Sequence, residues 1–316
     1  MCSQAGKIQC VSIIMPTYNR ADTLPRAIQS VLDQSWLHFE LIIIDDGSDD
    51  GTEQVVRSFE DNRVHYIQSD HRGASAARNV GIAQAKYDAI AFLDSDDQWH
   101  KDFLTILTNC LTGATPETGV VFCGYWYFSE SQKTYRPAEC AFVAGDIMEE
   151  VIKGNFIALP AALVKKICFD QCGGFDESLP CRHDWELWIR IARQWQFQYV
   201  DKPLLNVYQS QSSISTNYKY LVEGWAPLIK KHLDLFSKYP EILASHYLKI
   251  ARSVWPPADL EDYKTVRHYT LKAFWTSPKT MKDHLNQLAA SIIGYCLYSF
   301  YRQMKHKLKA KRLNRH

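Results

Sequence analysis

The sequence predicts an α/β fold, with a mostly parallel β-sheet and helices on its faces. Apolar runs typical of buried strands alternate with helical segments over the first hundred residues. The run FELIII (39–44) has no polar break, as expected for a strand covered on both faces. A chain of 316 residues with 46% hydrophobic content can bury such a core and carry a further element.

Four strands and three helices are predicted in this first part. The strands are CVSIIM (10–15), FELIII (39–44), RVHYIQ (63–68) and DAIAFL (88–93). The helices run from a cap at Asp22 to Gln34, from Gly51 to Glu60 and from Ala74 to Lys86. Such strand–helix–strand units form parallel sheets with right-handed crossovers. Further along, GVVFCGYWYF (119–128) is predicted as another strand and 185–195 as an amphipathic helix.

A polar cluster follows three of these strands: PTYNR (16–20), DDGSDD (45–50) and DSDD (94–97). The carboxyl ends of parallel strands share one edge of the sheet, where α/β proteins bind ligands. Asp94 and Asp96 can converge there on Mg²⁺ or Mn²⁺, which can hold a nucleotide diphosphate. The alternative is a solvated acidic turn.

The sequence lacks the two common glycine-rich phosphate loops. MPTYNR follows the first strand where a dinucleotide-binding protein has G-x-G-x-x-G, and there is no G-x-x-x-x-G-K-[ST]. A bound nucleotide therefore needs another source of positive charge. A metal on the aspartates, assisted by Arg78, would supply it.

Charge and cysteine content narrow the class of protein. The 36 Lys and Arg residues nearly balance 35 Asp and Glu, which argues against general nucleic-acid binding. Nine cysteines without framework spacing, and no secretory signal, predict reduced thiols in a cytoplasmic protein. Cys168, Cys172, Cys181 and His183 match no common zinc spacing, so scattered thiols are the better account.

Four segments resemble the inverting family-2 glycosyltransferases, which have a GT-A fold. They are VSIIMPTYNR, FELIIIDDGSDDGT, GASAARNVGI and AFLDSDD, in the family's order and at its usual spacing. The resemblance is dense over about 10–110 and sparser to about 216. It implies a GT-A domain at 1–217, with a nucleotide-binding part (about 10–110) and an acceptor and catalytic part (about 111–217). A helical extension is expected at 218–316.

The resemblance also implies nucleotide-sugar contacts. Tyr18 is expected near the base, with Pro16 and Thr17 shaping the same wall. Asp46 is expected to accept a hydrogen bond from uracil, although a turn-forming aspartate before Gly47 is the alternative. The remaining implied contacts are Arg78, which could instead be an exposed helix arginine, Asp94 and Ser95.

Within the D-x-D pair, the resemblance implies that Asp94 meets the ribose or the metal and that Asp96 binds the metal. The metal is expected to be Mn²⁺ or Mg²⁺. Asp97 is expected to cap a helix or to support its neighbours.

The segment HDWELWIR (183–190) resembles the family's acidic motif. Asp184 occupies the position of the general base, which would take the proton of an attacking acceptor hydroxyl. The alternative for Asp184 is an N-cap of the following helix. His183 replaces the usual acid, and Trp185 falls where an aromatic often packs on the acceptor sugar.

Two absences favour transfer of one sugar to a separate acceptor. No Q-x-x-R-W motif follows Asp184, and the apolar run 288–301 is shorter than the roughly twenty residues of a membrane span. Gln211 stands where the family often has a histidine near metal or phosphate, so a ligand from that loop is not expected. Arg302 to His316 contains seven Lys and Arg and no acid, so 288–316 is either a helix on an anionic membrane or a solvated tail.

Two functions from different classes fit these residues. The first is an inverting, metal-dependent transferase that moves one sugar from a UDP-sugar to a hydroxyl of a glycan or glycolipid acceptor. Its product would belong to a surface polysaccharide or a lipid-linked oligosaccharide, made on the cytoplasmic face of the inner membrane. The second is an inactive module of the same fold that binds a nucleotide sugar or a carbohydrate. The intact D-x-D and Asp184 favour the first, and the helical extension is a candidate for contacts in a homo-oligomer.

Overall fold

The computed structural model describes residues 8–129, 132–137, 144–209, 218–254 and 260–281. Two compact units divide the chain, Met1–Ser213 and Ile214–His316. In the described residues, every strand belongs to the first unit, and the second unit is helical. No helix in the described ranges has the length and apolarity needed to cross a bilayer.

The first unit contains one mixed sheet. Its strands are β1 (Val11–Thr17), β2 (Phe39–Asp45), β3 (Val64–Gln68), β4 (Ala89–Phe92), β5 (Gln98–Trp99), β6 (Thr118–Phe128), β7 (Lys133–Arg136), β8 (Ala144–Gly145), β9 (Ala162–Lys165) and β10 (Gln196–Tyr208). The sheet order is β3-β2-β1-β4-β9-β6-β10-β5, while β7 pairs with β6 and β8 with β10.

Helices of the same unit lie between these strands. They are α1 (Leu24–Leu32), α2 (Thr52–Arg57), α3 (Ala74–Gln84), α4 (Phe103–Gly113), α5 (Met148–Lys153), α6 (Lys166–Cys172) and α7 (His183–Ala192), with a 3₁₀ turn at Leu159–Ala161. Thr23 rather than Asp22 stands at the N-cap of α1, one residue later than predicted.

The fold class predicted from the sequence is confirmed. Strands β1 to β4 form the predicted parallel ladder, and β6 extends over the run predicted at 119–128. The sequence did not predict β9, which pairs antiparallel with both β4 and β6. A four-residue apolar strand gives no periodic signal that separates it from a turn. Because β9 reverses the direction twice, β6 and β10 end at the same edge as β1 to β4.

The core lies on both faces of the parallel strands. Every residue of β1 and β2 is buried, and α1 covers one face with Leu24, Ala27, Ile28 and Val31. On α3, a Cβ at Gly81 would collide with the Ile14 side chain, so glycine lets α3 lie directly on β1. This packing fixes α3, and with it the position of Arg78.

The second unit contains five helices among its described residues: α8 (Tyr218–Lys231), α9 (Leu233–Phe236), α10 (Pro240–Ser253), α11 (Leu260–Thr276) and α12 (Pro278–Met281). Ala251, Val254 and Val266 form a small buried cluster between α10 and α11. The basic segment 288–316 and Gln211 lie outside the described residues.

Candidate active site

Asp46 organises the edge of the sheet beyond β2. Its Oδ1 accepts the N–H of Arg72 at 2.9 Å, and its Oδ2 accepts the N–H of Gly73 at 2.7 Å. Gly73 has a φ of 92°, a conformation that favours glycine, and directly precedes α3. Asp46 is only 3% exposed. Its carboxylate therefore holds the loop before α3, and its contact with uracil stays a prediction.

Tyr18 forms an aromatic platform together with His71. Tyr18 is 44% exposed, and its ring lies 4.2 Å from the ring of His71, with 31° between the planes. The Nδ1 of His71 is 2.8 Å from the backbone oxygen of Asp46. His71 was not predicted from the sequence, although it lies in the polar segment after β3. A cleft of about 610 Å³ adjoins it, lined by Gly47, Gln68, Ser69, Asp70, His71, Arg72, Ala76 and Val80.

Pro16 and Thr17 are buried as the last residues of β1. They pair with Ile44 and Asp45 of β2, and Thr17 is 3% exposed. Their side chains therefore present little surface to a nucleotide. The Oγ1 of Thr17 is a buried oxygen with no hydrogen-bond partner.

Arg78 forms an ion pair with Asp94 across the edge. The distance from Nη2 to Oδ1 is 2.6 Å, and Arg78 is 12% exposed against 35% for Asp94. The alternative of an exposed helix arginine is therefore wrong. The buried Nε of Arg78 has no hydrogen-bond partner, and the guanidinium lies 5.6 Å from the ring of Phe175. A nucleotide phosphate could accept from this donor set.

Asp96 and Asp97 place two more carboxyl groups beside Asp94. Burial, and then the charge of Asp94, raise the pKa of Asp96, which keeps 26% exposure and lies 3.9 Å from Arg20. Asp97 is 5% exposed, and its Oδ1 accepts the N–H of Tyr208 at 3.2 Å. Burial and its two acidic neighbours raise the pKa of Asp97 well above its usual range. The prediction of a helix cap at Asp97 is wrong, because the next helix, α4, has another residue at its N-cap.

The aspartate cluster suits a hard divalent cation. Its donors are carboxylate oxygens, the preferred ligands of Mg²⁺ and Mn²⁺, and their mutual repulsion is what a cation would relieve. Asp94 and Asp96 are accessible enough to be the ligands, whereas Ser95, between them, is 6% exposed. Within the described residues, no three His, Cys, Asp or Glu side chains form a ready metal site, and this includes the cysteines considered for zinc. The remaining ligands would come from the diphosphate and water.

The segment GGFDE (173–177) is attached to α3 through Asn79. The Oδ1 of Asn79 accepts the N–H of Phe175 at 2.7 Å. The Nδ2 of Asn79 donates to the backbone oxygen of Phe175 and to Glu177, both at 2.9 Å. A Cβ at Gly174 would collide with the amide of Asn79. This contact explains the second glycine of the motif and brings the acceptor part of the chain onto α3.

Arg190 of α7 anchors the other side of this segment. Its Nε donates to both carboxylate oxygens of Glu186 at 2.9 Å, and Glu186 is fully buried. The two Nη atoms donate to the backbone oxygens of Cys172, Gly173 and Gly174. These carbonyls belong to the last residue of α6 and to the two glycines that follow it. The arginine of the acidic motif is thus structural.

Asp184 lies in the first turn of α7, which begins at His183 after Arg182 at the N-cap. The alternative in which Asp184 is the N-cap is therefore wrong. Its Oδ2 accepts a hydrogen bond from Nδ2 of Asn155 at 2.7 Å. The amide of Asn155 therefore orients the carboxylate in the first turn of the helix.

His183 lies between Asp184 and the nucleotide side. Burial, followed by the nearby Arg78 cation, lowers the pKa of its imidazole, so the ring is neutral at pH 7. Its Nδ1 is buried without a hydrogen-bond partner. Its contact with an acceptor stays a prediction. Arg78 lies 5.6 Å from the ring of Phe175, and Arg190 of α7 donates to the neighbouring Gly174, so α7 is linked to the Arg78–Asp94 pair through this segment.

Trp185 is fully buried, and its indole N–H donates to the backbone oxygen of Val151 at 2.6 Å. The prediction that it packs on the acceptor sugar is therefore wrong. The ring belongs to the contact between α5 and α7 and has no face open to a ligand. An aromatic side chain at this helical position can pack in the core or line a binding site, and the sequence pattern is the same in both cases.

Comparison with known proteins agrees with this architecture. Residues 12–175 match the family model described as Glycosyl transferase family 2. An uncharacterized glycosyltransferase of Rickettsia felis is 35% identical over 200 residues, which are 62% of this chain and 32% of that protein. The Escherichia coli protein WfaP is 30% identical over 198 residues, 58% of this chain and 70% of WfaP. WfaP is named a UDP-Glc:alpha-D-GlcNAc-diphosphoundecaprenol beta-1,3-glucosyltransferase.

The alignments cover 32%, 58% and 32% of the first three relatives' own lengths. Among solved structures, S. aureus TarS superposes with a TM-score of 0.67 at 17% identity, covering 91% of this chain and 54% of TarS. The mannosyltransferase PcManGT of Pyrobaculum calidifontis, in complex with GDP-Man and Mn²⁺, gives 0.52 at 17% identity, covering 93% and 88%. These two likenesses establish the GT-A fold.

Proposed function

Because the chain belongs to glycosyl transferase family 2, we propose that it transfers one sugar from a nucleotide sugar to a hydroxyl group of a glycan acceptor. The donor is a UDP-sugar and the acceptor a lipid-linked oligosaccharide or a surface polysaccharide. The name of WfaP, with its UDP-glucose donor and diphosphoundecaprenol acceptor, supports this assignment.

One observation carries the proposal. Arg78 is paired with Asp94 at 2.6 Å, and its guanidinium lies 5.6 Å from the ring of Phe175. Arg190, on the helix that carries Asp184, donates to the backbone oxygen of Gly174 beside Phe175. This arrangement supports one site for the candidate base and the aspartate cluster, although about ninety residues separate them in sequence. An inactive module of the same fold would not need both the aspartate cluster and the candidate base.

Asp94 and Asp96 would hold Mn²⁺ or Mg²⁺. Such a cation neutralises the diphosphate of the donor and stabilises the charge that develops on the leaving nucleotide. The Mn²⁺ in the PcManGT structure supports this assignment. Arg78 adds a fixed positive charge beside the same phosphates.

Asp184 acts as the general base of an inverting displacement. The acceptor oxygen forms a bond to the anomeric carbon while the bond from that carbon to the diphosphate oxygen breaks. The hydroxyl proton passes to Asp184, and the electron pair leaves with the nucleoside diphosphate. Asn155 donates to Oδ2 of Asp184 at 2.7 Å and the backbone N–H of Trp185 donates to Oδ1 at 2.8 Å, so both carboxylate oxygens are held in place.

Release of UDP from a panel of UDP-sugars, with and without Mn²⁺, tests the proposal. We expect Mn²⁺-dependent release that increases when a glycan acceptor is added. The second candidate, a binding module of the same fold, would bind UDP with Mn²⁺ but release none from any UDP-sugar, with or without an acceptor. That result would show that the protein is a binding module and not a transferase.

We further propose that 1–217 is the transferase domain, that 218–316 is a helical extension, and that the protein is cytoplasmic, with 288–316 binding anionic membrane. The basic tail lies outside the described residues, and its charge alone supports the membrane assignment. Deleting 302–316 should abolish sedimentation with anionic liposomes at low salt while activity on a soluble acceptor remains. Liposome binding that persists after the deletion would remove this role from the tail.

A further inference from the structure

A second cleft lies beside Asp184. Its volume is about 290 Å³, and it is formed by the carboxyl half of β6, the strand β7 and the residues after α5. The lining residues are Tyr125, Tyr127, Arg136, Pro137, Asn155 and Phe156. The cleft lies outside the nucleotide side, whose cleft is lined by residues of 47–80.

Asn155 joins this cleft to the candidate base. It is one of the lining residues, and its Nδ2 donates to Oδ2 of Asp184 at 2.7 Å. A molecule in the cleft therefore lies next to the group that would take a proton from it.

Alternation along β6 separates the cleft from the opposite face of the sheet. Tyr125 and Tyr127 lie on the cleft face. Trp126 lies on the other face, where Nζ of Lys133 is 4.4 Å from its ring centroid. Arg136 pairs in register with Tyr125, so its side chain belongs to the cleft face.

The chemistry of the lining favours a negatively charged sugar. Aromatic rings pack against the C–H faces of sugars, and the amide of Asn155 can hydrogen-bond their hydroxyls. Among the residues that the structure describes, no Asp or Glu lines the cleft. Arg136 is exposed, and no carboxylate in the described ranges lies within ion-pair distance of it. A guanidinium in such a place binds a phosphate or a carboxylate bidentately.

We propose that this cleft is the acceptor subsite and that it selects an anionic carbohydrate, whose phosphate or carboxylate is bound by Arg136. The assignment rests on the proposed function, since it supplies the acceptor for that transfer. Tyr125 and Tyr127 take the place that the sequence suggested for Trp185.

The test compares Arg136→Gln with Lys133→Gln. Both remove one positive charge from the same short strand, but only Arg136 lines the cleft, so Lys133→Gln is the matched control. Full-length protein saturated with UDP and Mn²⁺ is titrated with three probes and followed by saturation-transfer NMR. The probes are N-acetylglucosamine 1-phosphate, methyl glucuronide and neutral methyl N-acetylglucosaminide.

The intact protein and Lys133→Gln should bind an anionic probe at least about tenfold more tightly than the neutral one. Arg136→Gln should lose this preference while its affinity for UDP stays the same, which also shows that it is folded. The probe with the higher affinity distinguishes a phosphate from a uronate acceptor.

Equal affinities of the intact protein for all three probes, or a preference that survives Arg136→Gln, would overturn the acceptor assignment. The proposed function would still stand if the intact protein releases UDP from a UDP-sugar with Mn²⁺. Failure of the intact protein to bind UDP would instead overturn the proposed function, and the subsite with it.

Discussion

The nucleotide side and the acceptor side of the site are held in different ways. On the nucleotide side, buried carboxylates accept backbone N–H groups: Asp46 accepts those of Arg72 and Gly73, and Asp45 accepts that of Ser48. On the acceptor side, amide side chains make the connecting bonds, from Asn155 to the carboxylate of Asp184 and from Asn79 to the backbone of Phe175. The first arrangement fixes a geometry that any nucleotide sugar can share. The second can change with single substitutions, so we expect acceptor specificity to vary there.

The largest expected effect is on the nucleotide side. Asp96→Ala should abolish Mn²⁺-dependent UDP binding and turnover, because it removes one of two accessible carboxylates from the cluster. Calorimetric titration with UDP and an activity assay measure it, and EDTA should reproduce the loss in intact protein. Asp102→Ala, a partly exposed acid outside the cluster, is the control. Activity that survives thorough chelation would show that the cluster is a solvated turn.

On the acceptor side, substitution of Arg190 should lower the free energy of unfolding more than loss of an exposed ion pair does. Arg190→Gln should lower the free energy of unfolding by about 3 kcal/mol, because it breaks an ion pair with fully buried Glu186 and uncaps α6. The matched control is Arg57→Gln, which breaks an exposed pair of the same i,i+4 spacing with Glu53 and should cost about 0.5 kcal/mol. Urea unfolding followed by tryptophan fluorescence measures both. Equal losses would mean that the buried pair adds nothing.

Substitution of the candidate base Asp184 should change the activation free energy of the transfer by a smaller amount. Asp184→Asn should reduce kcat by a factor of about 100 or more, while the affinity for UDP stays nearly unchanged. The amide keeps the size of the side chain but cannot accept the proton. Asp170→Asn, on the exposed side of α6, should have no effect. Retention of most of the transfer activity would reduce Asp184 to an acidic residue in the first turn of α7.

The smallest expected effect concerns the aromatic platform. Tyr18→Ala should raise the Kd for UDP about fivefold, the loss expected for one ring contact. His71→Ala should do the same if the base packs on both rings. Trp275→Ala, an exposed aromatic of the helical unit, is the control. An unchanged Kd in Tyr18→Ala would exclude Tyr18 from base binding.

The two sides also differ in how well the sequence predicted them. The parallel strands have continuous apolar runs, and their polar ends fall on one edge by topology, so the shared position of Asp46, Asp94 and Asp96 was predicted. Arg78, on α3, was named from the family resemblance, and the ligand roles of these residues stay predictions. Trp185 was misassigned because an amphipathic pattern shows that a residue is buried or exposed only relative to its neighbours.

Contacts between distant segments left no pattern in the sequence. Asn155 and Arg136 emerge only when the segments between β6 and α7 are folded together, and the short strand β9 was missed for the same reason. His71 was the exception, because its polar segment follows β3 directly and could have been examined like the other strand ends.

The position of β9 sets the order in which the sheet can assemble during synthesis. Strands β1 to β4 have all been synthesised by residue 92, and their ladder needs no later segment. Strand β6 cannot join it until residues 162–165 supply the strand between them. In the nascent chain, β4 therefore remains an unpaired edge strand while about seventy further residues are synthesised. An unpaired edge strand is a site for aggregation. Chaperone dependence during translation should fall once β9 has emerged.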